Sequence, residues 1–295
     1  MPKKTPVLDN KSLSGYSELF KSTALYAAEE TVTAIPLIEL HPPEFHPFQV
    51  KDDESMDRLY QNIQKYGVRE PGLARPRQSG GYELIAGNRR KRACELAGLP
   101  TMPVIIREMD DNSATIAMVD SNLEQREQLL FSEKAWAYKV KMEALNHNGI
   151  KGDKHSYELL MEQTGESKNQ IFRLIRLTEL VVGLLDKVDA KQLAFNPAVE
   201  LSYLSQLEQT AVVSAMESHG IKPSFSQAVR LKQMKQAGSL TIDAIDTILA
   251  ECKKSHKDEK EINQFKHYFP EDYSSRQMVE VITELLQAWQ LQQAG

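Results

Sequence analysis

Every strand-like segment of this 295-residue chain lies before residue 109. Between positions 34 and 108, short apolar runs alternate with helical patterns. "AIPLIEL" (34–40) reads as a strand. A helix follows over Asp52–Tyr66, with Met56, Leu59, Tyr60 and Ile63 at three-to-four spacing. "GLARP" (72–76) and "GYELIAG" (81–87) are strands about a Gly-Gly turn, Arg89–Ala97 is a helix stopped by Gly98, and "TMPVIIRE" (101–108) is a last strand. This alternation predicts one small α/β unit. From residue 113 onward the pattern is helical, over 113–127, 132–147, 156–164, 167–180, 181–187, 197–205, 208–218, 225–238 and 241–252. A charged linker, "KKSHKDEKE" (253–261), leads to an amphipathic helix over 275–290. Such segregation fixes the class as α+β. A small mixed α/β domain (31–125) is followed by an all-helical domain (126–220) and a C-terminal helical segment (221–295). Residues 1–30 form a tail that either stays mobile or packs on the body.

Bulk composition excludes more than it selects. No apolar run approaches the roughly 18 residues of a membrane span, and no signal-peptide layout opens the chain, so a cytoplasmic protein without a membrane partner is expected. Two cysteines, Cys94 and Cys252, give neither a disulfide framework nor a metal cluster. The net charge of −5 does not advertise an anionic partner. Local charge does: from Arg69 to Arg107 eight cations face three acids.

Half of those cations sit in one place. "IAGNRRKRACELAG" (85–98) ends a strand in Gly87-Asn88 and opens a helix with Arg89, Arg90, Lys91 and Arg92. Cations are disfavoured at a helix N-terminus. A polyphosphate over Gly87 would resolve the conflict, because free backbone N–H groups and arginine forks would share one anion. A basic surface helix without a ligand is the other reading, and the pattern alone does not select a nucleotide.

The longer string "GYELIAGNRRKRACELAGLPTMPVIIR" closely resembles the core motif of ParB-type partition proteins, which have G-E-R-R-x-R-A after a "YELIAG"-like strand. The resemblance extends over roughly residues 34–210. It implies a ParB/sulfiredoxin-like N-terminal domain that binds CTP with Mg²⁺, a helix-turn-helix domain and a C-terminal dimerisation element. It also implies a homodimeric clamp on double-stranded DNA that loads at a palindromic, centromere-like site and works with a ParA-type ATPase, associated with nucleoid or plasmid. Gly87, Arg89, Arg90 and Arg92 fall on the family's phosphate-contacting box. Asn88 replaces its Glu, which the family is thought to use in hydrolysis. A neutral amide is no general base, so nucleotide binding carries over while any CTPase activity is expected to be weak or absent. The family's Q-P-R-like loop aligns with His46-Pro47-Phe48. His46 is the candidate nucleotide contact there, a loop histidine without a role being the alternative. "SNLEQRE" (121–127) matches the family's E-N-x-Q-R-E with one residue inserted. It implies triphosphate and metal contacts from Asn122, Arg126 and Glu127, with Asn122 the Mg²⁺ ligand.

"SYELLMEQTGESKNQIFRLIRL" (156–177) reads as helix, glycine turn, helix, with Leu160, Ile171 and Leu174 placed to pack the pair. Ser167 and Gln170 fit a capping box that starts the second helix. Ser167, Lys168, Asn169, Gln170 and Arg173 are the candidate DNA-reading residues, since Arg and Lys suit guanine while Asn and Gln suit adenine. A plain helical hairpin is the alternative. The partition resemblance continues through "SKNQIFRLIRLTEL" and favours DNA binding. In the C-terminal helix, Met278, Val281, Ile282, Leu285, Leu286 and Trp289 form an apolar stripe that either folds back or pairs with a second copy. Two rivals remain. One is a helix-turn-helix transcription regulator with a degenerate nucleotide site. The other is an enzyme of sulfiredoxin type, which would need a reactive Cys94.

Overall fold

The computed structural model describes residues 31–125, 129–147, 153–251, 265–270 and 273–293. The tail, the linker, Arg126, Glu127 and Cys252 lie outside the described residues. The chain divides into two compact units between Thr178 and Glu179.

The first unit opens on a five-stranded mixed sheet of order β1-β5-β3-β4-β2, formed by β1 (Val32–Pro36), β2 (Leu40–His41), β3 (Gly72–Pro76), β4 (Tyr82–Ala86) and β5 (Thr101–Ile106). β1–β5 and β3–β4 are antiparallel, whereas β3–β5 and β2–β4 are parallel. The strand expected over 34–40 is split. Residues 32–36 pair with β5 at one edge, a 3₁₀ turn (Leu37–Glu39) follows, and Leu40–His41 cross to the far edge beside β4.

α1 (Glu54–Tyr66) and α2 (Asn88–Leu96) pack together over one sheet face. Met56 and Ile63 of α1 and Ala93 and Cys94 of α2 join Ala74, Leu84, Met102 and Val104 of the sheet in one core. Asp53 caps α1, its carboxylate accepting from Met56 N at 3.0 Å. The helical layer begins with α3 (Asp111–Gln125), which packs on β4, and α4 (Phe131–His147), which packs on α3. Trp136 of α4 is half-buried, edge-on to Phe45 at 5.5 Å. α5 (Asp153–Thr164) and α6 (Lys168–Arg176) complete this unit.

The second unit is helical in its described residues: α7 (Val182–Asp189), α8 (Phe195–Leu201), α9 (Gln206–His219), α10 (Phe225–Gln236), α11 (Ile242–Ala250) and α12 (Ser275–Gln293). Buried Gln209 ties its first turns together. Its carbonyl accepts from Val181 N at 2.8 Å, and its amide donates to Leu204 O at 2.9 Å and Glu179 O at 3.1 Å. In α12, Met278 is buried while Val279, Leu285, Leu286 and Trp289 stay exposed.

Candidate functional site

The start of α2 is built by Gly87. It sits at φ +109°, a left-handed conformation open to glycine, and its carbonyl accepts the first helical bond from Lys91 N at 2.9 Å. A Cβ there would meet Gly72 Cα at 3.2 Å and Met102 Cε at 3.4 Å. The backbone thus turns tightly against β3 and leaves the N–H groups of Asn88, Arg89 and Arg90 without helical partners. Among the described residues, no side chain caps them.

Each cation of this turn is held by a protein group. Arg89 donates to Ser55 Oγ and lies 3.9 Å from the Asp53 carboxylate. Arg90 reaches back to the α1–β3 loop and donates to the carbonyls of Glu70 and Pro71, 2.7 Å each. Burial pulls the Arg90 pKa down, yet a guanidinium stays charged. Lys91 pairs with Glu95 at 2.8 Å. Arg92 forks onto Asp52, with Nε 3.1 Å from one carboxylate oxygen and Nη2 on the other. The hydrogen bond from Arg92 lowers the Asp52 pKa, and Asp52 in turn raises that of Arg92. A cleft of about 300 Å³ opens beside Arg90, lined in part by Leu59, Tyr66, Arg69 and Glu70.

His46 reaches the same place. Its Nδ1 lies 2.7 Å from Phe48 O. A carbonyl only accepts, so the ring proton sits on Nδ1 and Nε2 accepts from Asn88 Nδ2 at 3.1 Å. The Asn88 amide also approaches Leu84 O at 3.4 Å. Gly87, Asn88, Arg89, Arg90, Arg92 and His46 therefore form one constellation. Asn122 lies on α3, donating to Met118 O at 2.9 Å. Among the described residues, no hydrogen bond or ion pair joins it to the start of α2, and no group of three or more metal-ligating side chains occurs. Sequence reasoning missed Asp52, Asp53 and Ser55. The Asp-Asp-x-Ser string before an amphipathic helix signals a cap, but not what those side chains face. Cys94 is buried, and burial raises its thiol pKa, which leaves it the inert kind of cysteine.

The second constellation is α5–α6. Leu160, Ile171 and Leu174 are 0%, 0% and 1% exposed, buried as the sequence pattern expects, and α6 packs on both α4 and α5. Gly165 makes the turn at φ +69°, and Ser167 Oγ caps α6 by accepting from Gln170 N at 3.3 Å. Lys168 lies over the Tyr157 ring at 5.0 Å, and Asn169 is exposed. α4 supports this pair from behind. Lys134 holds Glu166 at 3.1 Å. Lys141, 4% exposed, bonds both Asp120 of α3 and Gln163 of α5, and Gln163 Nε2 closes the triangle onto Asp120 at 2.8 Å. A buried charge is tolerated when paired and hydrogen-bonded in this way, and removing one partner would leave the other buried and uncompensated.

Comparison with known proteins agrees with the residue pattern. The ParB N-terminal domain family matches residues 21–123. The nucleoid occlusion protein of Halalkalibacterium halodurans is 32% identical over 209 residues, covering 70% of this chain and 68% of that protein. Stage 0 sporulation protein J of Bacillus subtilis is 28% identical over 269 residues, 78% of this chain and 91% of the relative. Among solved structures, C-terminally truncated chromosome-partitioning ParB from Caulobacter crescentus is similar in two complexes. On the centromeric parS site it is 21% identical with a TM-score of 0.40, covering 75% of this chain and 100% of that one. With CTP-gamma-S it is 25% identical with a TM-score of 0.31, covering 63% and 99%. No helix among the described residues is long and apolar enough to cross a membrane. With its basic box, its paired helices after a glycine turn and a nucleoid occlusion relative 32% identical and aligned over two thirds of its own length, this chain belongs to the ParB-type family of chromosome-partitioning and nucleoid occlusion proteins.

Proposed function

We propose that the chain is a sequence-specific DNA-binding partition protein. It binds a palindromic, centromere-like site as a homodimer and holds a cytidine triphosphate at the start of α2. Nucleotide binding favours engagement of two N-terminal domains and so closes a clamp on DNA, in concert with a ParA-type ATPase. The observation that carries this reading is the α2 start, where a left-handed glycine, three N–H groups without partners within the helix and three arginines converge. That donor set suits a polyphosphate. Arg89, Arg90 and Arg92 would hold phosphate oxygens, and the cleft beside Arg90 gives room for a nucleoside. Mg²⁺ would sit on phosphate oxygens and water, with Asn122 the candidate protein ligand, as Arg126 and Glu127 are candidate phosphate contacts. When bound, a triphosphate would compete with Asp52 and Asp53 for the arginines of this turn. The choice of cytidine follows the family resemblance. Ser167, Lys168, Asn169, Gln170 and Arg173 would read DNA, and the exposed apolar residues of α12 suit pairing with a second copy.

One observation favours the regulator alternative. The cations of α2 already have partners within the chain, as a degenerate nucleotide site would. Calorimetry with CTP, ATP and GTP plus Mg²⁺, for wild type and Arg90→Ala, separates the two, with thermal melts confirming both are folded. Selective CTP binding that drops at least tenfold in Arg90→Ala supports the clamp. No binding with or without DNA, alongside intact operator repression, supports the regulator.

A further inference from the structure

α6 carries an aromatic side chain where its neighbours are polar. Ile171 and Leu174 face inward, 0% and 1% exposed, but Phe172 is 51% exposed. Helical spacing puts Lys168 and Asn169 one turn before it and Arg176 one turn after it on the same outer flank. The nine residues of α6 hold three cations, two amides and no acid. A cation in a first turn without acids again runs against the helix dipole, which makes a polyanion the fitting partner for this face.

One phenyl ring among charged and amide groups is too small an apolar feature for the centre of a protein interface. Its flat face can cover one small apolar group. In the major groove a thymine presents one 5-methyl group beside the acceptor O4, and apolar side chains contact that methyl. We propose that Phe172 is a specificity-determining residue that packs on a thymine 5-methyl in each half-site. The inference rests on α5–α6 being the DNA reader and adds a residue that carries no hydrogen-bonding group to its recognition.

Deoxyuridine tests this directly, because it removes the methyl and nothing else. The full chain is used to select a site from random duplexes. Wild type and Phe172→Ala are then titrated against that site with each thymine replaced singly by deoxyuridine. Wild type should lose about fourfold in affinity at one thymine per half-site, the worth of one buried methyl, and about 15-fold when both half-sites are changed. Phe172→Ala should bind the thymine and deoxyuridine duplexes equally at that position. Its melting temperature and the salt dependence of its binding should match wild type, since an exposed, uncharged side chain is removed. Equal deoxyuridine penalties in wild type and variant at every position would overturn the proposal, as would wild-type affinity of the variant for the unmodified site. If the wild-type chain selects no site, the reading of α5–α6 as a DNA reader fails first, and that outcome is distinct from the other two.

Discussion

α2 and α6 are both nine residues long, and neither has an acid in its first turn. α2 opens on a glycine cap with no side-chain help, and its cations are folded back onto Asp52, Asp53, Ser55, Glu95 and two loop carbonyls. α6 opens on a serine cap and keeps one strongly apolar face against α4 and α5, so its remaining side chains are presented as a surface. A run of basic residues can thus mean a pre-neutralised cradle or a displayed face. What decides is whether the backbone or the side chains fix the arrangement of the exposed donors. At α2 the backbone does the shaping, through Gly87. At α6 the buried apolar side does it, by fixing which residues point outward.

The comparison breaks most severely at Ile171. Ile171→Ala removes a fully buried side chain and should cost about 2–5 kcal/mol, read in a denaturant titration. Site-specific DNA binding should go with it, because the outer face of α6 is held in place by the inner one. Nucleotide binding at α2 should persist under conditions where the chain stays folded. Joint loss of both would show that the two helices depend on one another.

Gly87→Ala is the counterpart at α2 and the next largest effect. A non-glycine residue held in a left-handed conformation costs about 1–3 kcal/mol, and the added Cβ would also press on Gly72 Cα. The melting temperature should fall by about 3 °C per kcal/mol. Calorimetry should show triphosphate affinity falling more than the melting curve accounts for, with duplex binding by α5–α6 retained. An unchanged nucleotide affinity would mean that the backbone of this turn does not meet the phosphates.

Local pattern made much of this readable. The starts and ends of α1, α2 and α4 and the start of α6 fall within two residues of the expected positions, because Asp53, Gly67, Gly87, Ser167 and the apolar spacing are local signals, whereas α6 ends at Arg176, four residues before the expected 180, and passes into a 3₁₀ turn over Leu177–Glu179. The Leu160, Ile171 and Leu174 packing was equally legible. The split of 34–40 was not. An apolar run carries no mark of which sheet edge each half joins, and here the two halves pair at opposite edges. Nor could sequence assign Asp52 to Arg92, 40 positions away, or close the triangle of Lys141, Asp120 and Gln163. Those pairings follow from chain topology, which periodicity does not encode.

The smallest effect bears on the contrast most directly. If the α2 cradle is pre-neutralised, Asp52 competes with any phosphate for Arg92. Asp52→Asn should leave folding unchanged and raise triphosphate affinity about two- to fivefold, the range expected from one exposed ion pair. A fall in affinity would instead make Asp52 a positioning residue that aims the Arg92 fork. The pH dependence has a definite sign. Because Arg92 lowers the folded-state pKa of Asp52, the pair contributes fully above the unfolded carboxylate value of about 4 and is lost as pH falls through the lower folded value. The contact is therefore intact at neutral pH. The wild-type and Asp52→Asn affinities should stay separated from pH 6 to 8, with no convergence toward the acid end of that range.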